Sequence, residues 1–430
     1  MTITAPIQKD AGGEEPPRIA YLLSRYPAVS HTFFLKEVLG LRQRGIIIEV
    51  ASINAPDRSF AALPDVEREE ALQTFYVKNG SKIGKLFSLI RIAFMHPLVT
   101  VRGLLAAFKL GDWDFRERVV AMFYLAEALL VGDWMQRRSL GHLHVHFGGP
   151  VATVGMLVST TWKIPWSLTV HGPDEFFNQD QSFLRRKFES VQFLFCISDY
   201  ARSQALCASP ALNPSHVEVM RLGVDCSALQ PHPRAFAIDV QADSNPIRIA
   251  CTGRLVAAKG HRILIEALAM LSEEGTAVDA VLIGDGPERR ALEAQSRQVG
   301  LENRIHFIGA LNHAETLAQV AQADIFVLAS FAEGLPVALM EAMAFGVVCV
   351  STCINGIPEL IANDENGLLV SAGNTNQLHA AIARLVRDPA LRQSMGDAAR
   401  RTVETSYNLS NNQDLLAAAF YRRLREVKLS

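Results

Sequence analysis

Glu333 and Glu341 stand eight residues apart in FAEGLPVALMEA (331–342), on either side of a Gly-Leu-Pro turn. A helix opening at Pro336 presents unpaired backbone N–H groups and a partial positive charge, and together these favour an anion. Proline suits the first turn because its missing N–H would be unpaired there anyway. Gly334 lets the backbone approach a ligand closely. Two carboxylates beside such a site repel phosphate, but they accept hydrogen bonds from hydroxyls. A diphosphate on the helix start, with a sugar ring held by an acid at each end, reconciles these features, and a nucleotide-sugar has that shape. Either glutamate alone would serve equally well as a helix cap or a solvated side chain; the combination is what points to chemistry. Cationic partners are at hand in CTGRLVAAKGH (251–261). There Arg254 offers a planar fork and Lys259 a point charge, both suited to phosphate oxygens, in a loop containing Gly253 and Gly260.

A second group of chemical residues lies upstream. His142, His144 and His146 alternate in HLHVHFG (142–148), so they share one face of a strand. No Asp or Cys cluster accompanies them in the sequence, and no metal site is expected. His146, nearest the carboxyl end, is expected to line a ligand cleft. His171 closes the next apolar run in TVHGPDEFF.

Elements must position these groups. RIAYLLS (18–24) reads as a strand, SHTFFLKEVLGLRQRG as a helix capped by Ser30, and IIIEVASIN as a second strand. Residues 66–140 are mostly helical by pattern, and strands follow at 142–148, 166–172 and 193–198. Periodicity fades over 226–246, where Pro, Asp, Ser and Asn gather, which marks a linker. A second α/β series then runs through IRIACTGRL, AVLIGDG, IHFIGAL, IFVLAS and VVCVST, with helices at 260–274, 287–299, 313–322 and 336–345. The expected fold is α/β: two doubly wound Rossmann-like domains facing a central cleft outside the carboxyl ends of their strands. The expected divisions are a tail (1–17), a first Rossmann-like domain (18–225), the linker (226–246), a second such domain (247–405) and a C-terminal helix (406–430) returning to the first domain.

Bulk properties exclude several classes. The 430 residues are 49% hydrophobic and 20% charged, with a net charge of −2, so nothing calls for a nucleic-acid partner. Six scattered cysteines without a C-x-x-C pair suit a reduced, cytoplasmic chain. Acidic residues and a Pro pair precede the first apolar run, the wrong order for a secretory signal. The apolar region 83–108 is interrupted by Arg91, His96-Pro97 and Arg102, so no membrane crossing is expected. Residues 78–118 nevertheless mix eight Lys and Arg residues with apolar ones, a pattern suited to lying on the inner face of an anionic membrane.

In order along the chain, GRLVAAKG, LIGDGP, IHFIG, EGLPVALMEA and NGIPE resemble the donor domain of retaining family 4 glycosyltransferases of the GT-B fold, over most of residues 247–405. The segment LLSRYPAVSHTFFLKEVLGLRQRG resembles the opening of the bacterial exopolysaccharide, colanic acid type subgroup. That opening commonly reads F-P-x-x-S-E-T-F, whereas this chain has Tyr26-Pro27 and His31 at the glutamate position. The resemblance implies that Arg254 and Lys259 hold a diphosphate and that Glu333 binds the transferred sugar and steadies charge at the reacting carbon. Glu341 would take the ribose, and Gly334, Leu335 and Pro336 would offer backbone to the sugar-phosphate. Ile308 and Gly309 would lie near the base, with Glu359 either touching donor or orienting a loop. His171 and Asp174 would stand near the reaction centre, with Ser30 and His146 toward the acceptor. No metal or cofactor is implied beyond the nucleoside diphosphate sugar, UDP or GDP, and the acceptor would be a glycan or lipid-linked oligosaccharide. A sugar-nucleotide epimerase and a non-catalytic nucleotide-sugar-binding partner are the alternatives. A dehydrogenase is disfavoured because no G-x-G-x-x-G follows either first strand.

Overall fold

The computed structural model describes residues 16–28, 32–110, 115–177, 183–231 and 246–429. Ser30, most of the tail and most of the 226–246 linker lie outside these residues. The chain divides into two compact units. The first holds residues up to Ile197, Arg202–Met220 and Gln413 onward; the second holds Ser198–Ala201 and Arg221–Asn412.

The first unit is built on seven strands: β1 (Arg18–Arg25), β2 (Ile47–Asn54), β3 (Phe75–Tyr76), β4 (His142–His146), β5 (Trp166–Val170), β6 (Phe193–Cys196) and β7 (Val217–Val219). All pair parallel in the order β3-β2-β1-β4-β5-β6-β7. The order reverses between β1 and β4, because the chain lays two strands on one side of β1 before crossing to the other. Such a reversal leaves a crevice beyond the strand ends. The C-terminal helix Leu409–Leu429 sends Leu416, Phe420 and Leu424 into this unit's core, where the Phe420 ring packs edge-on against Phe195 and meets Tyr21. The expected return of the helix to the first domain is what the structure shows.

The second unit repeats the plan with β8 (Ile247–Thr252), β9 (Val278–Ile283), β10 (Ile305–Gly309), β11 (Ile325–Leu328), β12 (Val348–Thr352) and β13 (Gly367–Val370), ordered β10-β9-β8-β11-β12-β13 and again parallel. Its reversal falls between β8 and β11. Strand interiors read as near-continuous apolar runs, as sheets covered on both faces require. Both units are thus parallel-sheet, Rossmann-like α/β layers. Three short strands, β3, β7 and β13, were not expected.

The helix Phe115–Arg138 differs from the sequence-based expectation in another way: it is long and apolar enough, by length and composition, to cross a membrane. In the fold its C-terminal half is core. Trp134 stacks on Phe75, and Gly132 lies so close to the Trp162 ring that any β-carbon would collide with it.

Candidate functional site

The second unit gathers its predicted residues at the β8/β11 reversal. The loop after β8 carries Arg254 and Lys259, and the loop after β11 carries Glu333. Lys259 Nζ lies 2.6 Å from Glu333 Oε1, so the basic loop and the acidic loop meet directly. Ser330 Oγ donates to the same oxygen at 2.7 Å, and Oε2 has no partner among the described residues. One carboxylate oxygen is therefore anchored while the other can accept a hydrogen bond. Asn355, in left-handed backbone at φ 47°, donates from Nδ2 to the Glu333 carbonyl at 3.0 Å. Thr352 Oγ1 donates to the carbonyl of Ser330 at 2.7 Å, and Phe331 N to that of Ala258 at 2.8 Å. These bonds fix three strand-end loops to one another.

Glycine makes the crowding possible. Gly260 has φ 65°, and a β-carbon there would fall 1.9 Å from the Ala329 carbonyl oxygen. Gly284, at φ 146°, stands equally close to the carbonyl oxygen of Gly253. Only a residue without a side chain allows these turns and approaches.

The helix after Glu333 runs Val337–Ala344, with Pro336 just before it rather than in its first turn. Leu339 N and Met340 N both donate to the Pro336 carbonyl, which makes Pro336 the flanking residue. No side chain caps this helix start, so its leading N–H groups are not plugged by one. Arg254 is exposed, and its guanidinium pairs with no described residue. Glu341, in the same helix, sits 3.3 Å from His313 Nε2. Gly309 closes β10 with φ 80°, its carbonyl accepting from Gly284 N at 2.9 Å, while Ile308 is partly exposed. Glu359 is occupied differently: its two carboxylate oxygens accept from Asp199 N and Tyr200 N at 2.9 and 2.8 Å, and Arg221 approaches at 3.4 Å. In this way it caps the start of the Asp199–Ala208 helix.

In the first unit the three strand histidines do share one face, and all are buried. His144 spends both ring nitrogens on hydroxyls, Ser167 at 2.8 Å and Thr169 at 3.0 Å. His146 Nδ1 lies 2.9 Å from His171 Nε2, and its Nε2 lies 3.1 Å from Glu37 Oε1, which also accepts from the Tyr21 hydroxyl at 2.8 Å. Glu37 thus supplies the carboxylate that the local sequence lacked. Glu37, His144 and His146 come close enough to surround an ion. Most of their donor atoms are engaged with Tyr21, Ser167, Thr169 and His171, while His146 Nε2 makes no hydrogen bond beyond its 3.1 Å approach to Glu37. Burial lowers His142 to about 3 and pushes His144 well below the ordinary histidine range, where neighbouring histidines add to the effect. Burial beside the Glu37 carboxylate raises the Tyr21 phenol.

His146 borders a concavity of about 480 Å³ at the β1/β4 reversal, together with Arg25, Phe34, Asp57 and Gly149. Asp174 is exposed in the first turn of the short Asp174–Phe177 helix, and its neighbour Glu175 is the acid that grips the loop. Glu175 accepts from the backbone N–H groups of Gly148, His171 and Gly172. Burial raises its pKa to about 6 against the pull of those hydrogen bonds. Lys187, buried with Nζ on the carbonyls of Gly148 and Gly149 at 2.7 and 2.9 Å, is lowered to about 7 by the same desolvation. Neither residue was singled out from sequence. For Glu175 the available signal was a second acid beside the chosen one; for Lys187 there was none.

Residues 235–402 match the glycosyl transferases group 1 family. Along nearly the whole chain, the amylovoran biosynthesis glycosyltransferase AmsK of Erwinia amylovora is 27% identical, over 91% of this chain and 96% of its own length. The putative colanic acid biosynthesis glycosyltransferase WcaL of Escherichia coli matches with the same identity and coverage. Among solved structures, Anabaena HepE in complex with UDP and glucose superposes with a TM-score of 0.68 at 18% identity, covering 94% of this chain and all of that one. Residues 235–402 thus carry a group 1 glycosyltransferase region, in a chain whose two Rossmann-like units match the GT-B fold of HepE and whose length is similar to relatives named for exopolysaccharide synthesis.

Proposed function

We propose that the chain moves a hexosyl group from a nucleoside diphosphate sugar to a glycan acceptor carried on a lipid, at the cytoplasmic face of a membrane, with retention at the anomeric carbon. The observation that carries this reading is the Lys259–Glu333 contact, beside a helix start without a side-chain cap, at the β8/β11 reversal. In that setting Lys259, Arg254 and the Val337 helix start stabilise the negative charge that develops on the leaving diphosphate. The bond between the anomeric carbon and the phosphate oxygen breaks as the acceptor oxygen bonds to the same face of that carbon, and the acceptor proton passes to the departing phosphate. No protein nucleophile is needed on this route. Glu333, anchored through Oε1, turns its other oxygen to the sugar hydroxyls and the positive charge at the reacting carbon. Neutralisation of the leaving group is assigned to protein cations, so transfer is expected to persist in chelator.

The relatives support the donor class: HepE was solved with UDP and glucose, and AmsK and WcaL are named for exopolysaccharide synthesis. The test is a panel of UDP- and GDP-sugars incubated with the full chain, with and without a membrane lipid extract, reading nucleotide release and the anomeric configuration of the product. Extract-dependent release from one donor, with retained configuration, is expected. Release from none, or isomerisation of the donor without transfer, overturns the reading in favour of a binding partner or an epimerase.

A further inference from the structure

Three consecutive helices of the first unit, Lys82–Met95, Pro97–Leu110 and Phe115–Arg138, hold most of the exposed apolar side chains among the described residues. Sixteen of the twenty-four exposed large hydrophobics among those residues fall between Ile83 and Phe123. Phe94 and Phe115 are 86% and 81% exposed, and Phe87, Leu98, Leu105 and Phe108 are each more than half exposed. Apolar residues exposed singly are ordinary, but a concentration of this kind marks a surface that something covers.

Charge decides what covers it. Lys78 pairs with Glu127 at 3.2 Å and Arg91 with Asp133 at 2.6 Å, so these two cations are neutralised by the long helix. Lys82, Arg102 and Lys109 remain exposed, with no ion pair among the described residues, and Arg118 lies over the Phe108 ring at 4.3 Å. Across the described part of 82–118 the one acid is Glu117. A second copy docking by two-fold symmetry would bring these cations against themselves, since such an interface uses the same patch twice. An anionic lipid surface supplies the opposite charge.

Geometry distinguishes lying on a bilayer from crossing it. The first two helices have 14 residues each and are bent 110° at their junction. Each is roughly 21 Å long, short of the hydrocarbon thickness of about 30 Å. The third is held in the unit by its C-terminal half, as described above. We propose that this three-helix surface docks the chain on an anionic bilayer, with the exposed phenylalanines and leucines at the headgroup–acyl boundary and Lys82, Arg102 and Lys109 on lipid phosphates. It names the partner that the lipid-linked acceptor reading needs, yet its test uses neither donor nor acceptor, so failure of one is not failure of the other.

The full chain is floated with phosphatidylcholine vesicles and with vesicles carrying about 30% phosphatidylglycerol. Recovery on the anionic vesicles should exceed that on neutral ones by about tenfold and fall as salt rises. Phe94→Ser/Phe108→Ser should lower it by about tenfold or more, and Lys82→Glu/Arg102→Glu/Lys109→Glu should remove the preference for anionic lipid. All five side chains are exposed, so thermal melting should match the parent chain. Absence of flotation, or flotation unchanged in both variants, overturns the proposal. So does a solution dimer that Phe94→Ser/Phe108→Ser dissociates while vesicles stay unbound, which assigns the surface to a second copy.

Discussion

The two strand-order reversals have the same topology and opposite contents. At β8/β11, the side chains sit on loops tied by backbone hydrogen bonds, and the groups suited to a ligand are left available: the exposed Arg254 and the Val337 helix start without a side-chain cap. At β1/β4, the histidines are buried and bonded to hydroxyls and to one another, with Glu37 beside His146, while His142 Nδ1 and His146 Nε2 make no hydrogen bond among the described residues. The first arrangement leaves its cationic and N–H groups open to an anion. The second holds ring orientation, with His171 as its last described member. Low dielectric strengthens the bonds it makes, and each buried polar atom left unpaired costs about 1–3 kcal/mol.

The difference can be broken most severely at Glu333. Glu333→Gln keeps the shape and the Ser330 contact but removes the charge facing Lys259 and the reacting carbon; turnover should fall by about a thousandfold with melting unchanged. Near-parental turnover would remove Glu333 from the mechanism. Next comes the backbone that lets the β8 and β11 loops touch. Gly260→Ala sets a β-carbon against the Ala329 carbonyl in left-handed backbone, and should destabilise the second unit by about 2–4 kcal/mol while the first melts as before. An unshifted transition in calorimetry would show that the close approach is not required.

The smallest effect belongs to the buried histidines. Burial lowers His142 from 6.5 to about 3, so the unfolded chain takes up a proton there before the folded one does. Its contribution is complete above pH 6.5 and is lost as pH falls toward 3. His142→Phe should therefore flatten the stability of the first unit against pH by about 1.4 kcal/mol per pH unit in that window. An unchanged slope in denaturant titrations would mean that His142 is not held neutral.

The contrast also explains what the sequence made legible. The donor-type site is assembled from short contiguous motifs, each on one loop, so EGLPVALMEA and GRLVAAKG could be read directly. Ser330 and Asn355 escaped notice because their part is to brace Glu333 and the backbone, which only the meeting of two loops reveals. In the first unit the decisive partner of His146 is Glu37, more than a hundred residues upstream in a helix of ordinary amphipathic pattern. No local spacing could disclose that pair. Glu175 escaped notice for a similar reason: it is adjacent to another acid, Asp174, and only the fold turns one inward and the other to solvent. The two doubly wound series were clear from alternating apolar runs and helices, while the short strands β3, β7 and β13 were not.

The central claim is that Arg254 and Lys259 seat a diphosphate at the start of the Val337 helix. Calorimetric titration of UDP, GDP and their monophosphates into the parent chain and into Arg254→Ala/Lys259→Ala tests it most directly. The account predicts that the favoured diphosphate loses about a hundredfold or more in affinity while its monophosphate loses much less. Equal losses for both, or a diphosphate bound as tightly by the double variant as by the parent, would contradict it.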